Sequence, residues 1–201
     1  MSLRLILFPS LVLLAACLDT GKGSDDSGDT GASTDDGSGD GGDGGADDND
    51  GWPNFVTRIE AGQVIEGDLA EGETVDLDWA DQSSVACFPG TEFSNFEGNH
   101  VFYAVEQPEG SELTVTVTPD EGTDVSIYLL QYGTSSRYVP PEVPTAVTCE
   151  AGFDQTNDSN PGEAESAMVT ATTNPYVVLI GVAAPTGVVA GSYQLQVDIL
   201  Q

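Results

Sequence analysis

From residue 52 to residue 201, apolar residues recur at every second position in short runs, and turn residues separate the runs. In residues 112–118, Leu113, Val115 and Val117 alternate with Thr114 and Thr116. In residues 192–199, Tyr193, Leu195, Val197 and Ile199 alternate with polar neighbours. Residues 74–79 set Val75, Leu77 and Trp79 against Asp76 and Asp78. Successive side chains of a strand point to opposite faces, so this period predicts strands buried on one side. No stretch carries a helical period with caps at both ends, which argues against a helical domain.

Three further runs, 101–105, 125–130 and 176–183, are apolar throughout. They suit central strands buried on both faces or crossing from one layer to the other. Residues 55–59, 63–66 and 167–171 are weaker strand candidates. The turns are explicit in Gln107-Pro108-Glu109-Gly110, Pro119-Asp120-Glu121-Gly122 and Ala190-Gly191-Ser192. About 150 residues can bury a core of their own. The predicted fold class is all-β, an antiparallel β-sandwich over residues 52–201.

Residues 18–51 are of another kind. They are Asp, Gly, Ser and Thr with almost nothing apolar, and eleven are aspartates. Such a segment cannot bury enough surface to offset its chain entropy, so a disordered acidic linker is predicted. A flexible coil of that length spans roughly 30–35 Å, and self-repulsion extends it. Within it, Asp36-Gly37-Ser38-Gly39-Asp40-Gly41 partly matches the start of an EF-hand calcium loop. The twelfth position is Asp47 where a bidentate Glu is needed, and so much glycine leaves no flanking helices. A solvated linker is the better reading.

The chain begins with Arg4, an apolar run from residue 5 to 14, and then Leu14-Ala15-Ala16-Cys17. That order is an export signal. The run is shorter than the roughly 20 residues a membrane span needs. A leucine three before a cysteine, with alanines between, resembles the lipobox of bacterial lipoproteins. The resemblance implies cleavage before Cys17, diacylglycerol on its sulfur and an acyl chain on its new amine. Residues 1–16 are then the signal peptide and 17–51 the lipidated cysteine with its linker. The protein would be lipid-anchored in the bacterial cell envelope, with the outer membrane as the expected site. An ordinary signal peptidase cutting after Ala16 is the competing reading, and it would leave Cys17 an exposed thiol.

Removing residues 1–16 leaves Lys22, Arg58 and Arg137 against 34 acidic residues. So acidic a surface repels nucleic acid and anionic head groups. It suits solubility, divalent-cation binding or salty surroundings. With Cys17 assigned to lipid, Cys87 and Cys149 remain as an even pair in an exported protein, and a disulfide is expected. Each lies in a long irregular stretch, 80–99 and 132–164, and loops of that length are usually functional or tied down. Two cysteines and one histidine so far apart make a poor zinc signal.

The segment from about residue 60 to 200 also resembles the bacterial pre-peptidase C-terminal domain. The matching pieces are Gly67-Asp68-Leu69, Val101-Phe102-Tyr103, residues 112–117, Asp124-Val125-Ser126-Ile127-Tyr128-Leu129, residues 176–182 and Gly191-Ser192-Tyr193-Gln194-Leu195-Gln196-Val197, in that order. The resemblance implies a small jelly-roll-like sandwich. Such domains accompany secreted peptidases as non-catalytic modules linked to secretion, stability or substrate attachment. This chain departs from the pattern: it carries no peptidase domain, and its cysteine-bearing loops are longer.

Motifs for chemistry are sparse. A Ser-His-Asp or Cys-His site would have to use His100, the sole histidine, which stands where a loop becomes an apolar strand and reads as structural. With 23 acidic residues in 52–201, some pair of carboxylates lies close by chance, so a glycosidase pair carries little weight. Asp154, Asn157, Asp158, Asn160 and Glu163 form an oxygen-rich stretch that could hold calcium, although a solvated turn cluster is the preferred reading. Tyr128, Tyr132, Tyr138 and Phe153 would make a sugar platform if they shared a face. No catalytic residues and no cofactor are expected, with Ca2+ as the alternative. The expected function is a non-catalytic, lipid-anchored envelope module, bound to the membrane through Cys17 and presenting a surface to an envelope protein or polysaccharide. The alternatives are a calcium- or carbohydrate-dependent adhesin and a hydrolase with its site in the long loops.

Overall fold

A computed structural model of the chain describes residues 50–82, 87–153 and 162–201. The predicted signal peptide, Cys17 and the predicted linker through residue 49 lie outside the described residues, as do Asp154, Asn157, Asp158 and Asn160. The described residues form β1 (Val56–Arg58), β2 (Val64–Asp68), β3 (Glu73–Thr74), β4 (Asn99–Gln107), β5 (Ser111–Pro119), β6 (Ser126–Gly133), β7 (Thr148–Gly152), β8 (Glu165–Ala171), β9 (Tyr176–Ala183) and β10 (Ser192–Leu200). One short helix, α1 (Asp78–Gln82), and two 3-10 turns, Leu69–Glu71 and Gly90–Asn95, complete them.

The strands make two sheets. One runs β1-β4-β9-β6-β7, with β3 also on β4, and the other runs β2-β10-β5-β8. Pairing is antiparallel except between β1 and β4, which run parallel. The β5 alternation does what its period requires. Leu113, Val115 and Val117 are fully buried between the sheets with Leu195 and Val197 of β10 and Ile127, Leu129, Val178 and Ile180 of the facing sheet. Thr116 and Gln194 point outward on that sheet's other face, where Met168 and Val64 are also exposed.

β4, β6 and β9 are the three runs that are apolar throughout, and they lie side by side at the centre of the first sheet. They are buried on both faces because a layer of loops covers the outer one. Trp52, Leu77, Trp79, Phe88, Phe96, Val139 and Val143 pack there on Phe102, Tyr128, Leu130, Tyr132 and Leu179. Cys87 and Cys149 are disulfide-bonded with Cα atoms 5.0 Å apart, which fastens this layer to β7.

At one end of the sandwich, two buried amides join the sheets. Gln131 Nε2 donates to Gln107 Oε1 at 2.7 Å, while Gln107 Nε2 donates to the Val169 carbonyl of β8 at 3.0 Å. Buried polar groups are tolerable only when so paired. Elsewhere the Tyr103 and Tyr193 hydroxyls meet at 2.9 Å across the core.

Two sequence expectations are corrected. Residues 74–79 are not one strand: β3 ends at Thr74, and α1 starts at Asp78, whose N–H bonds to Asp76 Oδ1 at 2.9 Å. That aspartate turn starts a helix locally, although Leu77 and Trp79 are buried as the alternation required. Residues 132–164 are not all loop, since β7 lies within them and Cys149 stands on a strand. Its sequence, TCEAG, carries no alternation because it is a half-exposed edge strand.

Candidate functional site

His100 lies in β4 and is 1% exposed. Its Nε2 donates to the Phe96 carbonyl at 2.6 Å, and its Nδ1 accepts from the Tyr128 hydroxyl at 3.0 Å. That assignment is the neutral tautomer. Burial lowers the imidazole to about 4, against the pull of the Phe96 carbonyl, which favours the charged form. Both ring nitrogens are therefore committed to structure, and the group is a poor proton acceptor for any substrate.

Tyr128 is fully buried with Trp79, Phe88 and Phe96 around it, and its ring covers Gly181. Burial raises its hydroxyl well above the ordinary range. Tyr132 is 1% exposed, and Phe153 packs edge-on against Phe96 at 5.5 Å. The sugar platform of Tyr128, Tyr132, Tyr138 and Phe153 is thus not formed: the loop layer makes most of these rings core. Of the calcium candidates only Glu163 is described, on the surface just before β8. Asp154 and Asp158 lie outside the described residues. Among the described residues, no group of three His, Cys, Asp or Glu side chains is placed to hold a metal. No described helix is long and apolar enough to cross a membrane.

A concave feature of the described surface lies at an edge of the first sheet. β9 occupies one edge of β4 from His100 to Gln107. β3 takes Asn99 and His100 on the other edge, and β1 takes Phe102 to Ala104. The two short strands leave a notch at Val101. There a cleft of about 420 Å³ opens between Phe55, the 71–76 segment, residues 100–102 and Pro140-Pro141, whose peptide bond is cis.

Both walls are held in place. Asn99 Nδ2 lies 3.1, 2.9 and 3.1 Å from the carbonyls of Leu69, Gly72 and Val189. Gly72 runs so close to β4 that an added Cβ would overlap the His100 carbonyl. Asp68 accepts from the N–H of Ala70 and Gly191 and from the Ser192 hydroxyl. Those bonds, the Ala70 N–H foremost, lower its carboxyl below the usual range. The opposite wall continues into Val139 and Val143, which are buried in the loop layer.

The lining is divided in character. Glu71, Glu73 and Asp76 are exposed acids, and among the described residues no lysine or arginine lines the cleft. Phe55 is 63% exposed, with its ring edge-on to Phe102 at 6.1 Å. Sequence reasoning did not single out Phe55, Glu71, Glu73 or the two prolines. Pro140-Pro141 was the visible signal, but only as part of an irregular stretch.

The described basic residues are engaged elsewhere. Arg58 pairs with Glu106 at 3.3 Å on the surface. Arg137 pairs with Asp50 at 3.1 Å, donates to the Thr134 and Ser136 carbonyls, and lies 5.3 Å from the centre of the Trp52 ring.

No known family profile matches the chain, and no curated protein does. Solved structures similar to it include the pre-peptidase C-terminal domain of collagenase from Bacillus anthracis, at 14% identity and a TM-score of 0.39, covering 73% of this chain and 97% of that one. The Aeromonas hydrophila periplasmic inhibitor of g-type lysozyme, PliG, is similar at 11% identity and 0.36, covering 72% and 97%. CorA, a surface-associated copper-binding protein of Methylomicrobium album BG8, is similar at 11% identity and 0.37, covering 73% and 99%.

Proposed function

We propose that this chain is a non-catalytic module of the bacterial cell envelope, anchored by lipid on Cys17 and presenting its β-sandwich at the end of the acidic linker. The export signal and the lipobox-like Leu14-Ala15-Ala16-Cys17 support the anchor. The observation that carries the non-catalytic reading is His100. Histidine-based nucleophilic catalysis would need this residue, and its ring is buried with both nitrogens engaged. What the fold offers instead is a cleft with fixed walls on the loop-covered sheet, the form a binding site takes.

Lipid sets where the module works and the linker sets its reach, since two or more acyl chains hold a protein stably where one does so marginally. The test is fractionation of cells expressing the full chain. Cys17→Ser should leave the sandwich folded and move the protein out of the membrane fraction. Retention after a high-salt wash would overturn the anchor. Hydrolytic turnover by the purified protein that vanishes in His100→Ala would overturn the non-catalytic reading.

A further inference from the structure

The cleft at the β4 edge restricts what can enter it. Its volume of about 420 Å³ sits in the lower part of the range of small-ligand sites, about 300–1,000 Å³. That admits one or two side chains and excludes the face of a folded protein. The wall that carries Glu71 and Glu73 is pinned by Asn99 and Asp68, so little ordering of that wall is required on binding.

Charge removes most candidates. The chain's own linker is rich in aspartate, and a second copy carries the same excess of acid. Both are repelled from a rim of Glu71, Glu73 and Asp76, as are nucleic acid and anionic lipid. The rim favours a cation. A hydrated metal ion gains nothing from the apolar side of the cleft, where Phe55 stands exposed beside Pro140 and Pro141. An organic cation gains twice. Its alkyl stem covers apolar surface while its charged head stays wet, and the face of an aromatic ring attracts it.

Resting on the binding-module reading above, we infer that the cleft is a receptor for a basic peptide segment: lysine or arginine stems lie on Phe55, Pro140 and Pro141, and their charges meet Glu71 and Glu73. Lysine and arginine are the residues that join a long apolar stem to a cation. An extended segment can also place two of them along the notch between β3 and β1.

The test is calorimetric titration of the full chain in non-ionic detergent micelles with acetyl-Lys-Trp-Lys-amide. Binding should weaken at least tenfold in Phe55→Ala and in Glu71→Gln with Glu73→Gln. It should weaken less than twofold in Glu109→Gln with Glu121→Gln, which removes equal charge at exposed turns. It should also fall as salt is raised. Glu71→Lys with Glu73→Lys should shift the preference to acetyl-Glu-Trp-Glu-amide, which tests the charge rule in a second way. The inference is overturned by equal loss in the two charge-neutralised pairs, by spermidine binding as tightly as the peptide, or by a neutral oligosaccharide binding where the peptide does not. None of these outcomes touches membrane release by Cys17→Ser, so the module reading stands or falls separately.

Discussion

His100→Gln tests the packing of the loop layer through a single proton. In the folded chain the imidazole ionises at about 4, against 6.5 for the free side chain. The unfolded chain therefore takes up the proton first as pH falls. Stability from this group is complete above about pH 6.5 and is lost progressively down to about pH 4. For those two values, linkage removes about 2 kcal/mol by pH 5 and about 3 kcal/mol by pH 4. Glutamine cannot ionise, and its amide can still donate to the Phe96 carbonyl. At pH 7 the variant should be less stable by about 1–3 kcal/mol, the cost of leaving the Tyr128 hydroxyl short of its partner. At pH 5 the gap between the two proteins should close by about 2 kcal/mol, because only the wild type pays the proton penalty. Carboxylates titrate in both proteins and largely cancel in the difference. Urea unfolding followed by tryptophan fluorescence at pH 7 and pH 5 measures the gap. As the chain has one histidine, a single imidazole resonance reports its ionisation directly. A gap that stays constant across this range, or a resonance titrating near 6.5, would refute the buried neutral state of His100.

Two other variants probe how the layers are held. Cys87→Ser with Cys149→Ser opens a link across a sequence separation of 62, which the chain-entropy account values at up to about 4 kcal/mol. Denaturant midpoints should fall accordingly, hydrogen exchange should quicken in residues 87–98, and intact mass of the wild type should rise by about 2 Da on reduction of its one disulfide. Gly181→Ala places a methyl against the ring of Tyr128, which is fully buried and bonded to His100. Overpacking of this kind costs about 1–3 kcal/mol, to be read as a lowered melting temperature, while Gly133→Ala, whose added methyl would meet nothing within 4 Å and whose φ is not positive, serves as the control.

The sequence by itself determined where most strands run and which side of each is wet. Leu113, Val115 and Val117 declare β5, and Tyr193, Leu195 and Val197 declare β10, because alternation is a property of the chain's own covalent geometry. The apolar runs of β4, β6 and β9 likewise announced strands covered on both faces. The backbone of α1 was not legible, because Asp76 bonding to the Asp78 N–H decides it against an alternating pattern. Nor was β7, whose half-exposed edge position imposes no period. Which strand meets which was decided only by the tertiary structure. β1 lies parallel to β4 although 46 residues separate Val56 from its partner Phe102. Sheet pairing is a contest among distant edges that no local pattern records. The cleft follows from that contest. Phe55, Glu73 and Pro140 are far apart in the chain and meet because β1 and β3 settle on one edge of β4 and the disulfide-stapled loops close over the sheet beside them.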